Sequence, residues 1–177
     1  FKRIKINAVI LKNRNDHEVV DLVQFALDVG IDISFIEEMP LGIIESHNRA
    51  EAYYSSDQIR EDLSTRFQLE AISDTTAGPS DYYRIKGTPT KVGFISPHSH
   101  NFCSTCNRVR LTTEGRLLLC LGNEHSIDLK AIIRTHPKDT DAIKQAIIDA
   151  MDIKPEKHEF DLTEQPIIIR HMNTTGG

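Results

Sequence analysis

Apolar and polar residues alternate from Arg3 to Leu11, with the two-residue period of a β-strand. A helical period follows, beginning at a cap provided by Asn15 or Asp16 and ending at Gly30. A second apolar run then covers residues 31–36. A strand, a helix and a strand at this spacing predict a βαβ unit with parallel strands, so the chain opens within an α/β sheet or barrel.

A second helix is predicted at Ser55 and Gln58, which have the spacing of a capping box. Beyond Thr75, glycine and proline divide the chain into short segments, and this change of composition indicates a domain boundary. We therefore predict one domain over residues 1–75 and a second domain, of α+β type, over residues 76–177.

The second predicted domain contains short strands and one clear helix. Residues 91–95 have the composition of a strand, and residues 108–112 and 116–119 form a predicted hairpin through a turn that ends at Gly115. The last apolar helical face covers residues 140–151. The hairpin matters most, because it carries the cysteine region of the chain.

Composition narrows the class of protein. The chain has 177 residues, 39% of them hydrophobic, and no apolar run approaches the length of a membrane helix. A net charge of -5 argues against a general nucleic-acid binder. The opening FKRIKINAVI lacks the features of a signal peptide and suggests a chain cut from a longer one. We expect a cytoplasmic protein whose three cysteines bind a metal or act in catalysis.

The cysteines have the spacing of metal ligands. Cys103 and Cys106 are separated by two residues, and Cys120 follows on the second strand of the hairpin. Three cysteines holding a [4Fe-4S] cluster would leave one iron open to a substrate. Zinc would need a fourth ligand, and the available candidates are the histidines His98, His100 and His125. Spacing alone leaves both metals open.

Basic residues accompany the cysteines. On a strand, Arg108 and Arg110 would share one face, and two guanidinium groups held side by side suit a phosphate. The alternative is a pair of surface arginines bridged to Glu114 or Asp128. Lys5 also has two possible surroundings. If the first strand belongs to a barrel, Lys5 would face an anion in the lumen, and if it is the edge strand of an open sheet, Lys5 would face solvent.

The chain also resembles a known family. The likeness lies in FCSTCNRVRLTTEGRLLLCL at residues 102–121, FIEEMP at residues 35–40 and the terminal Gly176-Gly177. These stretches resemble the C-terminal part of the molybdenum cofactor biosynthesis protein A family, which are radical S-adenosylmethionine GTP 3',8-cyclases, a kind of lyase. The resemblance implies the last strand-helix units of an incomplete (β/α)6 TIM-like barrel and a C-terminal α+β cluster-binding domain.

The family resemblance implies a reaction and a set of roles. A 5'-deoxyadenosyl radical would convert GTP into (8S)-3',8-cyclo-7,8-dihydroguanosine 5'-triphosphate, the substrate of cyclic pyranopterin monophosphate synthase. The implied metal ligands are Cys103, Cys106 and Cys120, which would hold a second [4Fe-4S] cluster. The implied contacts are Arg108, Val109, Arg110 and Lys5 for GTP, Met39 for S-adenosylmethionine, and Gly176 and Gly177 as a tail in the active site.

Three departures from the family pattern qualify these expectations. The Cys-x3-Cys-x2-Cys motif of the first cluster is absent, so this stretch alone is not expected to start the radical reaction. Ser34 stands where many relatives have an arginine, and Asn101 replaces an aspartate. A rival hypothesis is a zinc-stabilised module that binds nucleic acid or a protein. The sequence is compatible with a homodimer and indicates no membrane partner and no nucleic acid for the enzyme.

Overall fold

The computed structural model describes residues 1, 3–74, 78–164 and 168–175. These residues form two compact units. The first unit comprises Phe1–Glu38 and Ser46–Phe102, and the second comprises Met39–Glu45 and Cys103–Gly177. Each unit has its own sheet and its own apolar core.

The first unit is a mixed α/β structure. Its strands are β1 (Lys5–Ile10), β2 (Asp32–Glu37), β3 (Leu69–Ala71), β4 (Asp81–Ile85) and β5 (Lys91–Ile95). Its helices are α1 (Val19–Val29), α2 (Arg49–Ala52) and α3 (Ser56–Ser64). The strand order is β1-β2-β5-β4-β3, in which β1, β2 and β5 are parallel and the last two strands are antiparallel.

The predicted βαβ unit is confirmed, with β1 parallel to β2. Helix α1 ends at Gly30, whose φ of 73° is left-handed and therefore suits a glycine. The capping box of α3 is also confirmed, because Gln58 N donates to Ser55 Oγ and the Gln58 side chain accepts from Ser55 N. The Asn15 side chain does not cap the helix, since a short 3-10 turn at Asp16–Glu18 precedes α1.

The two faces of this sheet differ in polarity. One face packs against the helices through a buried apolar core. That core contains Ile10, Val19, Val23, Ala26, Ile33, Phe35, Ile59, Leu63, Ile85, Val92 and Phe94. A row across the other face joins Asn7, Ser34, Gly93 and Tyr82 on four paired strands. Since alternate residues of a strand point to opposite faces, Lys5 lies on this polar face as well.

The second unit has a smaller sheet. Its strands are β6 (Arg110–Leu111), β7 (Arg116–Leu118) and β8 (Ser126–Asp128), all antiparallel, and its helices are α4 (Leu129–Thr135) and α5 (Thr140–Asp152). The predicted hairpin is present, with Gly115 at a φ of 84° in its turn. A small apolar core joins β7, α4 and α5 around Leu119.

The compact units do not divide at the position that composition suggested. Strands β4 and β5 join the sheet of β1 and β2, so the first unit continues to Phe102. Thr75 lies outside the described residues, and the division into domains over residues 1–75 and 76–177 stays a prediction. In the described part of the chain, no helix has the length and apolarity needed to cross a membrane.

Candidate metal and nucleotide site

The three cysteines lie in turns of the second unit. Cys103 begins a 3-10 turn at Cys103–Thr105, and Cys106 N donates to Cys103 O at 3.0 Å. Cys120 follows β7, in a segment where Leu119 N donates to His125 O at 3.1 Å. All three cysteines belong to the described residues, are half-buried, and are present as thiols.

Cys103 Sγ and Cys106 Sγ each accept an N–H hydrogen bond. The backbone N of His158 donates to Cys103 Sγ at 3.4 Å, and the Arg108 guanidinium donates to Cys106 Sγ at 3.8 Å. The backbone amides of Arg108 and Gly122 also act on Cys106 and Cys120, respectively, and each favours the charged form of its thiol. Such donors stabilise a thiolate more than a thiol, because they lie against the negative charge.

The pKa values of two thiols respond to these neighbours. Burial acts to raise the pKa of Cys106, but the Arg108 hydrogen bonds and the charges of Arg108 and Lys154 outweigh it and lower the pKa. Burial raises the pKa of Cys120, opposed by the Gly122 amide and by Lys154. The charges of Cys103 and Cys106 also raise the pKa of Cys120, so the three sulfurs form one electrostatic group.

The two arginines after Cys106 have different surroundings. Arg110 lies on β6, and burial followed by repulsion from Arg108 lowers its pKa. Arg108 precedes that strand and contacts Cys106, so only Arg110–Leu111 of the strand predicted over residues 108–112 is present. Asp128, considered above as a partner, lies 3.8 Å from Arg116. The positive charges of Arg108 and Arg110 nevertheless repel each other, as expected for neighbouring cations.

A cavity of about 560 Å³ opens on the polar face of the first unit's sheet. Its lining includes three cations, of which two have carboxylate partners. Arg3 makes two hydrogen bonds to Asp32, one of them 2.8 Å long, and Lys91 forms an ion pair with Asp74. These pairs raise the pKa of Arg3, through the Asp32 hydrogen bond, and lower the pKa of Asp74, through Lys91.

Lys5 is the third cation of this cavity. Its Nζ donates to Tyr82 Oη at 3.1 Å and lies 5.6 Å from the centre of the Tyr82 ring. Lys5 therefore has an uncharged hydrogen-bond partner, unlike Arg3 and Lys91. Its positive charge, placed in a cavity wide enough for a nucleotide-sized ligand, suits an anion.

Comparison with known proteins bears on both the cysteine region and the sheet cavity. A family model described as Molybdenum Cofactor Synthesis C matches residues 31–160. The chain belongs to this family. The predicted resemblance to the C-terminal part of molybdenum cofactor biosynthesis protein A is thereby confirmed.

Relatives of this Molybdenum Cofactor Synthesis C chain include proteins named GTP 3',8-cyclase. The one from Saccharophagus degradans is 60% identical over 177 residues, all of this chain and 54% of the relative. The one from Pseudomonas fluorescens is 57% identical over 178 residues, with the same coverage, and that from Pseudomonas entomophila is 58% identical, with 53% of the relative covered. The chain thus spans about half the length of the curated relatives it matches.

Several residues that the family resemblance singled out have defined positions. Val109 is 39% exposed beside the two arginines, and Met39 is half-buried, with its carbonyl accepting from Leu41 N at 2.8 Å. Asn101 is exposed, and its Nδ2 lies 3.5 Å from Pro97 O. Gly176 and Gly177 lie outside the described residues.

Ser34 is buried rather than poised as a contact. Its Oγ lies 3.3 Å from Ser80 Oγ. A Cβ added at Gly93 would lie 2.4 Å from Ser34 Oγ and 2.2 Å from Ser80 Oγ, so glycine allows the three strands to close here. The small side chain of Ser34 therefore fits the space in this cross-strand row, and a larger arginine at this position would need different neighbours.

The arrangement of side chains in the described residues does not identify which metal would bind. Within residues 3–74, 78–164 and 168–175, no group of three or more His, Cys, Asp and Glu side chains is arranged to hold a single metal ion. Two histidines named for the zinc alternative have other contacts in the first unit. His98 Nε2 lies 2.9 Å from Glu38 O, and His100 Nε2 lies 3.0 Å from each carboxylate oxygen of Asp57.

Sequence reasoning missed residues that surround the cysteines. Lys154 Nζ donates to Leu119 O at 2.8 Å, and His158 reaches Cys103 through its backbone. Gly122 is required where it lies, because an added Cβ would be 2.6 Å from His158 Cβ and 2.7 Å from the Phe160 ring. None of these contacts has a sequence motif, because each joins residues distant along the chain.

Proposed function

We propose that this chain is the part of a radical S-adenosylmethionine GTP 3',8-cyclase that binds a second [4Fe-4S] cluster and GTP. The reaction would convert GTP into (8S)-3',8-cyclo-7,8-dihydroguanosine 5'-triphosphate in molybdenum cofactor biosynthesis, and cyclic pyranopterin monophosphate synthase would use the product. The names of the relatives support this reaction. Because the Cys-x3-Cys-x2-Cys motif is absent from the sequence, we expect this stretch alone to be inactive.

The observation that carries the proposal is that Cys103 Sγ and Cys106 Sγ accept N–H hydrogen bonds and that the Gly122 amide favours the charged form of Cys120. Hydrogen bonds to sulfur are one means by which proteins tune iron–sulfur clusters, and the ligands of such clusters are thiolates. The donor chemistry of Cys103, Cys106 and Cys120 therefore fits the group. When bound, a cluster with three protein ligands supplies an open iron that can accept a substrate atom.

The chain's own residues would bind and orient GTP. Arg108 and Arg110 supply two positive charges beside the cysteines, with Val109 between them, and the guanidinium forks suit phosphate or carbonyl oxygens. Lys5 would attract phosphate oxygens in its cavity. Met39 would contact S-adenosylmethionine, and Gly176 and Gly177 would enter the active site, as the family resemblance implies.

The architecture that we propose follows from the same family. Parallel strands β1, β2 and β5 would be the last strands of an incomplete (β/α)6 barrel, with the polar face of the sheet towards its lumen. Residues 76–177 would then be the C-terminal cluster-binding domain. We place the protein in the cytoplasm, where thiols stay reduced, and a homodimer is compatible with this proposal.

The proposal is tested by anaerobic reconstitution with iron and sulfide, comparing the wild type with Cys106→Ser. We expect the wild type to bind about four iron and four sulfide atoms more than the variant, with matching visible absorption. The control is Ser104→Ala, which alters an exposed neighbour and should leave the iron content unchanged. Stoichiometric zinc without iron or sulfide would contradict the proposal and favour a zinc-stabilised nucleic-acid or protein-binding module.

A further inference from the structure

Arg170 holds the turn that carries Cys120. Its Nη2 donates to three backbone carbonyls, Cys120 O at 3.4 Å, Leu121 O at 3.2 Å and Asn123 O at 2.5 Å. Its Nη1 forms an ion pair with Glu124, whose side chain is 57% exposed. One guanidinium thus lies against the carbonyl oxygens of a single turn, where their partial negative charges would otherwise repel each other.

The position of Arg170 is itself fixed by the segment around it. We call residues 168–175 the C-terminal tail. In this tail, Ile168 forms a parallel bridge with Leu41, and Gly42 N donates to Ile168 O at 2.8 Å. Gly42 has a φ of 68°, and a Cβ there would lie 2.3 Å from His171 Nδ1. The tail therefore docks closely on segment 39–45, on both sides of Arg170.

The Arg170 side chain binds the turn although, within the described part of the chain, this leaves one of its buried N–H groups without a hydrogen bond. It is only 15% exposed, and its Nε is buried with no hydrogen-bond partner among the residues that the structure describes. An unsatisfied buried N–H is unfavourable, so the guanidinium is held by its carbonyl contacts rather than by the best use of all its donors. An ordinary surface arginine would turn its Nε to water instead.

We propose that Arg170 is a positioning residue for the third thiolate, because its guanidinium fixes the Cys120 turn and makes the placement of that sulfur depend on the docked C-terminal tail. This inference rests on the proposed function in one respect, that Cys120 is a cluster ligand. Lysine cannot replace the arginine, since its single ammonium lacks the planar fork that reaches several carbonyls and a carboxylate at once.

The test compares Arg170→Lys with two matched variants in the intact, metal-free protein. In Arg170→Lys, hydrogen–deuterium exchange should become about tenfold faster in residues 119–124 and in the C-terminal tail. The loss of charged hydrogen bonds makes local opening of this turn more favourable, and exchange occurs from the open state. Glu124→Gln removes only the exposed ion pair and should change exchange by less than about twofold. Arg134→Lys, at an exposed position of α4, should have no effect.

The cluster supplies an independent measurement. In protein reconstituted with iron and sulfide, Arg170→Lys should lower iron retention and alter the electron paramagnetic resonance spectrum of the reduced cluster, while Glu124→Gln should not. Wild-type exchange rates in Arg170→Lys, or equal effects of both variants, would overturn the inference. If the wild type binds no iron or sulfide but the exchange rates change as expected, the proposed function fails while the role of Arg170 in the turn holds.

Discussion

At the scale of single residues, the charge balance of the sheet cavity is set by pairing. Arg3 and Lys91 are each neutralised by a carboxylate, whereas Lys5 is held by the hydroxyl and ring of Tyr82. Holding a lysine with an uncharged partner limits its rotamers without cancelling its charge. Tyr82 is therefore suited to keep the Lys5 ammonium in place for an anion.

Tyr82→Phe should weaken GTP binding by about threefold to tenfold, because one hydrogen bond to a cation is worth about 1 kcal/mol. Calorimetric titration of the anaerobic, reconstituted protein measures this change. Tyr54→Phe is a matched control, since it removes a tyrosine hydrogen bond to Asp62 elsewhere in the first unit. An unchanged affinity in Tyr82→Phe, or an equal loss in the control, would exclude this role for Tyr82.

At the scale of elements, the centre of the sheet depends on the absence of a side chain. Gly93 on β5 lies between Ser34 on β2 and Tyr82 on β4 in one cross-strand row. The buried hydroxyls of Ser34 and Ser80 meet over this glycine at 3.3 Å. Close approach of backbones is one recognised reason for a glycine within a strand, despite the entropy that it costs.

Gly93→Ala should destabilise the first unit by about 1–3 kcal/mol, because its Cβ would collide with both hydroxyl oxygens. Urea unfolding followed by far-ultraviolet circular dichroism gives the free energy. Ser80→Ala in the same chain removes the nearer oxygen and should recover part of the loss, which a double-mutant cycle would resolve. Additive effects of the two substitutions would contradict a direct collision.

Periodicity predicted the longer helices and strand β1 but missed several short elements. The alternation of β1 and the helical faces of α1 and α5 extend over enough residues to be recognised. Strands β3 and β8 have three residues each, too few for a period. The cysteine spacing identified the thiols, but the His158 amide that donates to Cys103 Sγ lies 55 residues further along the chain, and only folding brings the two together.

At the scale of the whole molecule, a buried carboxylate ties distant parts of the first unit together. Glu37, at the end of β2, accepts from Ser56 N at 2.9 Å, His98 N at 2.9 Å and Ser99 N at 3.1 Å, and from the Ser99 hydroxyl. Burial acts to raise the pKa of Glu37, but these hydrogen bonds outweigh it and lower the pKa. The carboxylate therefore stabilises the folded chain in its charged form.

Glu37→Gln should lower the free energy of unfolding by about 2 kcal/mol near neutral pH, because buried donors lose a charged acceptor. Since the folded pKa is depressed, this difference should persist above the unfolded pKa of about 4.3 and shrink as the pH falls through the lower folded value. Urea titrations from pH 3 to pH 7 measure it, with the exposed Glu61→Gln as control. A difference that grows in acid would show the opposite linkage.

The close approach at Gly122 has an evolutionary consequence. The space that a methyl group would need there is already filled by the Phe160 ring and by His158 Cβ. Position 122 should consequently remain glycine wherever His158 and Phe160 pack as they do here. Across homologous proteins, a side chain at this position would mean that the loop bearing the Cys103 donor is packed differently in those proteins.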